Sequence, residues 1–137
     1  HRGGNNMKLL AISGALLILL SIATAWLTIA KKYLSLPFLE RAIRDDEKLV
    51  NAHVDFVIMG ILLLVFFITG VDLPFLIILL SCAGALANPS LFLLLAFRPD
   101  VNKKIGSLFS VISTTSFLIT TAGIGGASFY IIQKMIQ

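Results

Sequence analysis

Four polar side chains stand out because they occur inside stretches that are otherwise apolar. They are Asn51, His53, Asp55 and Asn88. Placing a polar or ionisable group at membrane depth costs free energy, so such residues are candidates for function. An imidazole can ligate a metal ion, and a carboxamide can donate a hydrogen bond to a bound molecule or accept one from it. The structural alternative is that His53, close to the end of its apolar stretch, is only hydrated or hydrogen-bonded to the chain.

The spacing of His53 and Gly60 predicts a surface for a flat ligand. The two residues are seven positions apart, about two turns of an α-helix, so they lie on one face. A ligand held by His53 could rest against the patch that Gly60 leaves bare, because glycine has no side chain. Asp55 is only two positions from His53 and points to nearly the opposite side of the helix. We therefore expect His53 and Asp55 not to share a site within one subunit.

His53 and Asn88 lie at comparable depth in their helices. At about 1.5 Å per residue, His53 is roughly 6 Å and Asn88 roughly 13 Å from the end of the bundle that carries most basic residues. We therefore predict that the two pair, with Asn88 as the candidate catalytic residue. Pro89 has no N–H group, so we expect a kink that opens a pocket there. Two structural alternatives remain open: Asn88 only joins two helices, and Asp55 is stabilised by its helix N-terminus or by Lys48.

Other kinds of active site lack the residues they need in this sequence. Cys82 is the only cysteine, which excludes an intramolecular disulfide and a cysteine-ligated metal cluster. We find no nucleophile–base–orienter set, no paired-carboxylate site and no glycine-rich phosphate loop. The net charge of +4 does not indicate a nucleic-acid partner, because the basic residues lie in short segments between apolar runs.

Long apolar segments must position the candidate residues. The chain has 137 residues, 58% hydrophobic and only 13% charged, a composition outside the range of soluble domains of this length. The segments are long and continuous and lack the alternation of lipid-facing strands, so we predict an all-α integral membrane four-helix bundle in the lipid bilayer. The predicted spans of a single domain, 7–137, are 9–30, 49–70, 73–97 and 106–132. Residues 1–6 precede Met7 and are interpreted as an expression remnant, so His1 is discarded as a ligand.

Local signals predict where the spans begin and end. The acidic cluster Asp45–Glu47 favours the start of span two. Asp72 is expected to cap the N-terminus of span three, with Pro74 in its first turn. Arg98-Pro99-Asp100 ends that span, because the residue before a proline is disfavoured in the helical region.

The distribution of lysine and arginine predicts the orientation of the bundle. The opposite ends of the spans carry only Lys8, Lys134 and, in the predicted remnant, Arg2. By the positive-inside rule, both termini face away from the cytoplasm, and the protein is expected in the cell inner (plasma) membrane. The connections after spans one and three contain eight basic residues: Lys31, Lys32, Arg41, Arg44, Lys48, Arg98, Lys103 and Lys104.

Small residues recur along span four at intervals of four, which predicts close approach of another helix. The partner is either a neighbouring span or another subunit, and the sequence leaves both open. Such close packing leaves little room, so a ligand is expected among spans one to three. The small residues are Gly106, Ser110 and Thr114, then Thr121 with Gly125 and Ala122 with Gly126.

Part of the chain resembles a known enzyme family. The stretch Asn51-Ala-His-Val-Asp-Phe-Val-Ile-Met-Gly60, the stretch Gly84-Ala-Leu-Ala-Asn-Pro-Ser-Leu-Phe92 and the exit Phe97-Arg-Pro99 resemble the membrane-bound styrene oxide isomerases. The chain is also similar to the hydroxylaminobenzene mutases, which share the four-span plan and an Ala-His start to span two with a glycine seven residues on. The resemblance covers about residues 49–100, a little over a third of the chain.

The resemblance implies a haem b whose iron is held by His53, in a homotrimer that binds haem near its subunit interfaces. In the isomerases, ferric iron keeps an open axial position and acts as a Lewis acid on an epoxide oxygen. Ring opening and a hydride shift then give an aldehyde. The implied substrate is small, apolar and aromatic. Gly60 would lie beside the macrocycle, and Asn88 would be a polar group of the pocket.

Three positions depart from the isomerase pattern. Aligned on the Ala-His and Ala-Asn pairs, Met59 and Phe92 replace a polar residue and a tyrosine, and Gly84 replaces an acid. Three hypotheses therefore stand. The chain is a haem-dependent isomerase or mutase, a haem-binding carrier or sensor without catalysis, or a cofactor-free bundle with an assembly or accessory role.

Overall fold

The computed structural model describes residues 2–137, with side chains from residue 4 onward. His1 of the predicted remnant lies outside the described residues, as does the side chain of Arg2. Four described helices are long and apolar enough to cross a membrane: Gly4–Leu34, Asp46–Ile68, Phe75–Phe97 and Val101–Ile136. The predicted all-α bundle is confirmed, and the chain is a multi-pass membrane protein. In chain order the elements are α1 (Arg2–Leu34), α2 (Pro37–Ala42), α3 (Asp46–Ile68), α4 (Phe75–Phe97), α5 (Val101–Thr120), a π-helical turn (Thr121–Gly125) and α6 (Gly126–Ile136).

Two of the three predicted helix boundaries are confirmed, and one is wrong. The Asp45 carboxylate caps α3 by accepting a hydrogen bond from the Lys48 N–H at 3.0 Å. Helix α4 ends at Phe97, directly before Arg98. Asp72, however, does not cap α4, which begins only at Phe75, with Pro74 at the N-cap position. The residue before a proline is pushed into extended backbone, so the helix starts after Pro74.

Helix α3 packs against both α1 and α4, α1 also touches α4 directly, and the last span packs against α4. Large apolar side chains are buried where these helices meet, among them Leu10, Leu17, Phe56, Leu63 and Ile78. Burial of such side chains usually stabilises a chain by about 2 kcal/mol each in water, but lipid tails are as apolar as the core. Helix association inside the bilayer therefore depends on close packing and hydrogen bonds. The outer surface is rich in exposed apolar side chains, including Ile12, Leu19, Ile68, Phe117 and Phe129.

Glycines set the closest approaches between helices. A Cβ atom placed on Gly84 would lie 2.6 Å from the Thr120 Cα atom. A Cβ atom on Gly123 would lie 2.4 Å from the backbone nitrogen of Ser81. Real Cβ atoms do not approach other atoms this closely, so α4 and the last span touch through their backbones at these two points.

The small residues of the last span predict close contact with a neighbouring span or with another subunit, and most of them do not make the contact with α4. The alternative of another subunit stays a prediction. Gly106, Ser110, Thr114, Thr121 and Gly125 are exposed, so this part of the stripe does not pack against the neighbouring spans. The buried residues of this span are themselves spaced by three, four or seven positions, so two faces of the helix fit a regular helical pattern and the packing buries the other one. The face that meets α4 is formed by Phe109, Ser116, Thr120, Gly123 and Ala127, all buried.

Candidate functional site

His53 lies on α3 where that helix meets α1. Its Nδ1 atom is 2.7 Å from the backbone carbonyl oxygen of Ser21 and 3.4 Å from the Thr24 hydroxyl. A carbonyl oxygen can only accept a hydrogen bond, so Nδ1 must carry the proton. In the neutral imidazole, Nε2 then holds the lone pair. This is the arrangement that metal-ligating histidines adopt, with one ring nitrogen oriented by the protein and the other free to bind.

A polar strip on α1 provides the partners of His53. Ser21 and Thr24 are buried, and the Thr24 hydroxyl also donates to the Ser21 carbonyl oxygen at 2.9 Å. Thr28 continues the strip one turn later and donates to the Thr24 carbonyl oxygen at 3.0 Å. The sequence contained a signal for this strip, because the three hydroxyl residues are spaced by three and four positions in an apolar run. These three residues were not among the predicted site residues.

The expectation that Gly60 offers a bare patch to a flat ligand is wrong for the single chain. A Cβ atom on Gly60 would lie 2.9 Å from the Ile18 Cδ1 atom and 3.1 Å from the Gly14 carbonyl oxygen. The contact is reciprocal, since a Cβ atom on Gly14 would lie 3.0 Å from the Gly60 carbonyl oxygen. Helix α1 therefore fills the space beside Gly60. The absence of a side chain serves helix packing there.

The predicted pairing of Asn88 with His53 is wrong. The Asn88 Nδ2 atom donates to the Asp55 carboxylate at 3.0 Å, which joins α4 to α3. Two residues apart on a helix, His53 and Asp55 point to opposite sides, and the neighbouring helices differ on the two sides. The expected separation of His53 from Asp55 is confirmed, and so is the alternative in which Asn88 links two helices. Lys48, the alternative partner that the sequence offered for Asp55, lies elsewhere, with its ammonium 5.9 Å from the centre of the Phe92 ring. Asp55 accepts its hydrogen bond from Asn88.

A shallow cavity of about 250 Å³ opens beside the Asp55–Asn88 pair. Its lining combines apolar side chains with the Asp55 carboxylate and the Asn51 carboxamide. The predicted pocket at Pro89 is not formed by that residue, whose ring is fully buried in the bundle. The residues that line the cavity are Asn51, Val54, Asp55, Ile58 and Phe92.

The three departures from the isomerase pattern have different surroundings. Gly84 lies where the last span crosses α4, so an acidic side chain at this position would collide with Thr120. Met59 is partly buried and packs against the core. Phe92 lines the cavity beside Asp55. Only the Phe92 position would place a polar group at the candidate site.

Comparison with known proteins gives no guide to the site, because no family model, curated protein or solved structure matches the chain. Among the described residues, no three His, Cys, Asp or Glu side chains come close enough to hold a metal ion together. A metal bound here would need a ligand set such as haem supplies, with one protein ligand. The His53 tautomer fits that role. The space over Gly60 does not fit a macrocycle within one chain, because α1 occupies it.

Proposed function

We propose that the protein binds a haem b in the membrane through His53 and rearranges a small apolar substrate, as the styrene oxide isomerases do. The observation that carries the proposal is the hydrogen bond from His53 Nδ1 to the Ser21 carbonyl oxygen. It holds the imidazole in one orientation and leaves Nε2 as the ligand atom. The resemblance over residues 49–100 supports the same assignment.

The chain's own residues divide the work between two sides of α3. His53, on the α1 side, holds the cofactor, which supplies a ferric Lewis acid when bound. The cavity on the α4 side receives the apolar substrate, and Asn88 keeps the Asp55 carboxylate in place at its edge. Within one subunit, α3 separates His53 from the cavity. The proposal therefore places haem between copies in a homo-oligomer, with a trimer as the resemblance implies.

The proposed setting is the cell inner (plasma) membrane, with both termini on the non-cytoplasmic side. The support is the excess of lysine and arginine in the two connections that share one end of the bundle. In this orientation His53 lies in the cytoplasmic half of its span, because it is within two turns of that end of α3.

The test is an absorption spectrum of protein purified from haem-supplemented cells, beside His53→Ala. We expect a Soret band in the unchanged protein and its complete loss in the variant, because the sole protein ligand is removed. Asn51→Ala, two residues away on α3, is the matched control and should retain the band. Conversion of an aromatic epoxide to its aldehyde then tests the isomerase half. A colourless wild-type protein, or a band that survives in His53→Ala, contradicts the proposal.

A second candidate is a cofactor-free bundle with an assembly or accessory role. It is favoured by the contacts of Gly60 and Asn88 within the same chain. Gly60 packs against α1, and Asn88 donates a hydrogen bond to Asp55 on α3. This candidate predicts colourless protein with a stable oligomer or partner. A Soret band without epoxide turnover would instead favour a haem carrier or sensor, which the apolar side chains of Met59 and Phe92 support.

A further inference from the structure

A second and larger cavity, of about 440 Å³, opens at the basic end of the bundle. It lies between α2, the end of α4 and the start of α5, and neither His53 nor Asn88 lines it. The residues that line it are Arg41, Ala42, Arg44, Phe97, Arg98, Asp100, Val101 and Lys104.

The cavity is strongly positive. Four cationic side chains and one carboxylate line it, which leaves three positive charges. The carboxylate of Asp100 is 3.4 Å from the Arg44 guanidinium, and both side chains are more than half exposed, so water and salt weaken this pair. Among the described residues, the other three cations of the cavity form no ion pair with a carboxylate. Three cations are therefore available to an outside anion.

The chain holds the walls of the cavity in place. The backbone N–H groups of Arg44 and Asp45 both donate to the Ala96 carbonyl oxygen, at 2.9 and 3.1 Å. These bonds attach the connection after α2 to the end of α4. Leu39 and Ile43 are buried in a small core with Leu49 and Ala96, which fixes α2 against the bundle. The arginines are thus carried on a fixed backbone while their side chains stay exposed.

The surroundings of the cavity suit a ligand at the membrane surface. Phe97 gives the cavity an apolar wall. On α2 and just before it, Phe38 is 76% exposed and Leu36 44%, which places apolar side chains beside the cations. A bound molecule would meet both charge and lipid-like surface.

We infer that this cavity binds a phosphate group, borne by an anionic phospholipid headgroup or by a free phosphate compound. The planar guanidinium groups of Arg41 and Arg98 match the geometry of phosphate oxygens, and basic recesses between transmembrane helices suit anionic headgroups. The inference is independent of the proposed haem function, since it uses none of the same side chains.

The test is native mass spectrometry of the full chain in detergent with added phosphatidylglycerol, beside zwitterionic phosphatidylcholine with the same acyl chains. We expect preferential binding of phosphatidylglycerol. Arg98→Gln and Lys104→Gln should each weaken it about fivefold, the loss expected for one basic residue near a phosphate-bearing surface. Asp100→Asn should strengthen binding, because it removes the carboxylate. Lys103→Gln is the matched control, one residue from Lys104 and outside the cavity lining.

A second arm identifies the source of the phosphate. Inorganic phosphate is titrated into the same proteins, and the midpoint of thermal unfolding is followed. Lipid binding that is weakened by Lys104→Gln and not by Lys103→Gln supports a headgroup site. A rise in the unfolding midpoint on addition of phosphate that is lost in Lys104→Gln and kept in Lys103→Gln supports a free phosphate compound. The inference is overturned if Lys103→Gln and Lys104→Gln behave alike in both arms, or if neither phosphatidylglycerol nor phosphate binds.

Discussion

Gly123→Ala is expected to destabilise the bundle by on the order of 3 kcal/mol, the cost of forcing side-chain volume into a closely packed contact. A Cβ atom at this position would lie 2.4 Å from the Ser81 nitrogen, 2.5 Å from the Leu80 carbonyl carbon and 2.7 Å from the Ser81 Cα atom. All three are backbone atoms of α4, which cannot rotate away as the end of a side chain can. The added methyl group must therefore push α4 and the last span apart.

Gly125→Ala provides a control within the same π-helical turn. A Cβ atom on Gly125 would meet no atom within 4 Å, so the chemical change is identical and the contact is absent. The measurement is the midpoint of thermal unfolding in one detergent for both variants and the unchanged protein. Equal midpoints for Gly123→Ala and Gly125→Ala would show that α4 and the last span do not meet at Gly123.

Asn88→Leu is expected to destabilise the bundle by about 2 kcal/mol, because it leaves the Asp55 carboxylate inside a membrane span without its hydrogen-bond donor. The double variant Asp55→Leu/Asn88→Leu should regain most of this loss. Replacing both partners by apolar groups of similar size leaves no unsatisfied group behind.

The measurement is a double-mutant cycle on the free energy of unfolding in detergent. Ser90→Ala is the control, since this exposed side chain on the same helix bonds only to the Leu86 carbonyl oxygen of its own helix. Additive losses in the two single variants would mean that Asp55 and Asn88 do not interact. A coupled pair would show that part of the polar content of the spans serves helix association.

The two predictions bear directly on the competing functions. A cofactor-free bundle needs its buried glycines and polar pairs for packing alone. An isomerase needs the same packing, and in addition the His53 ligand and an accessible cavity beside Asp55. Stability measurements on the Gly123 and Asn88 variants therefore test how the helices pack. The spectrum of the His53 variant distinguishes between the functions that the bundle could carry.

Periodicity and composition were sufficient for most local features of this protein, although Asp72 does not cap α4 as predicted. The lengths of the apolar runs predicted four membrane-crossing helices, since helical rise relates residue number to bilayer thickness. Asp45 and Arg98 marked a helix start and a helix end because capping and the restriction before proline act within a few residues. The separation of His53 from Asp55 also follows from the helical repeat alone.

Partners across helices were decided by the tertiary structure. The rotation and crossing point of each helix determine which side chain Asn88 meets, and depth in the membrane did not distinguish His53 from Asp55. The partner of Gly60 could not be predicted from the sequence either, because a missing side chain suits a flat ligand as well as a neighbouring helix. In the structure α1 occupies the space. The small residues of the last span marked one face of that helix, and the packing buried another face whose residues have the same helical spacing. Sequence spacing thus determined which residues share a helix face, and only the packing of the four spans decided what each face meets.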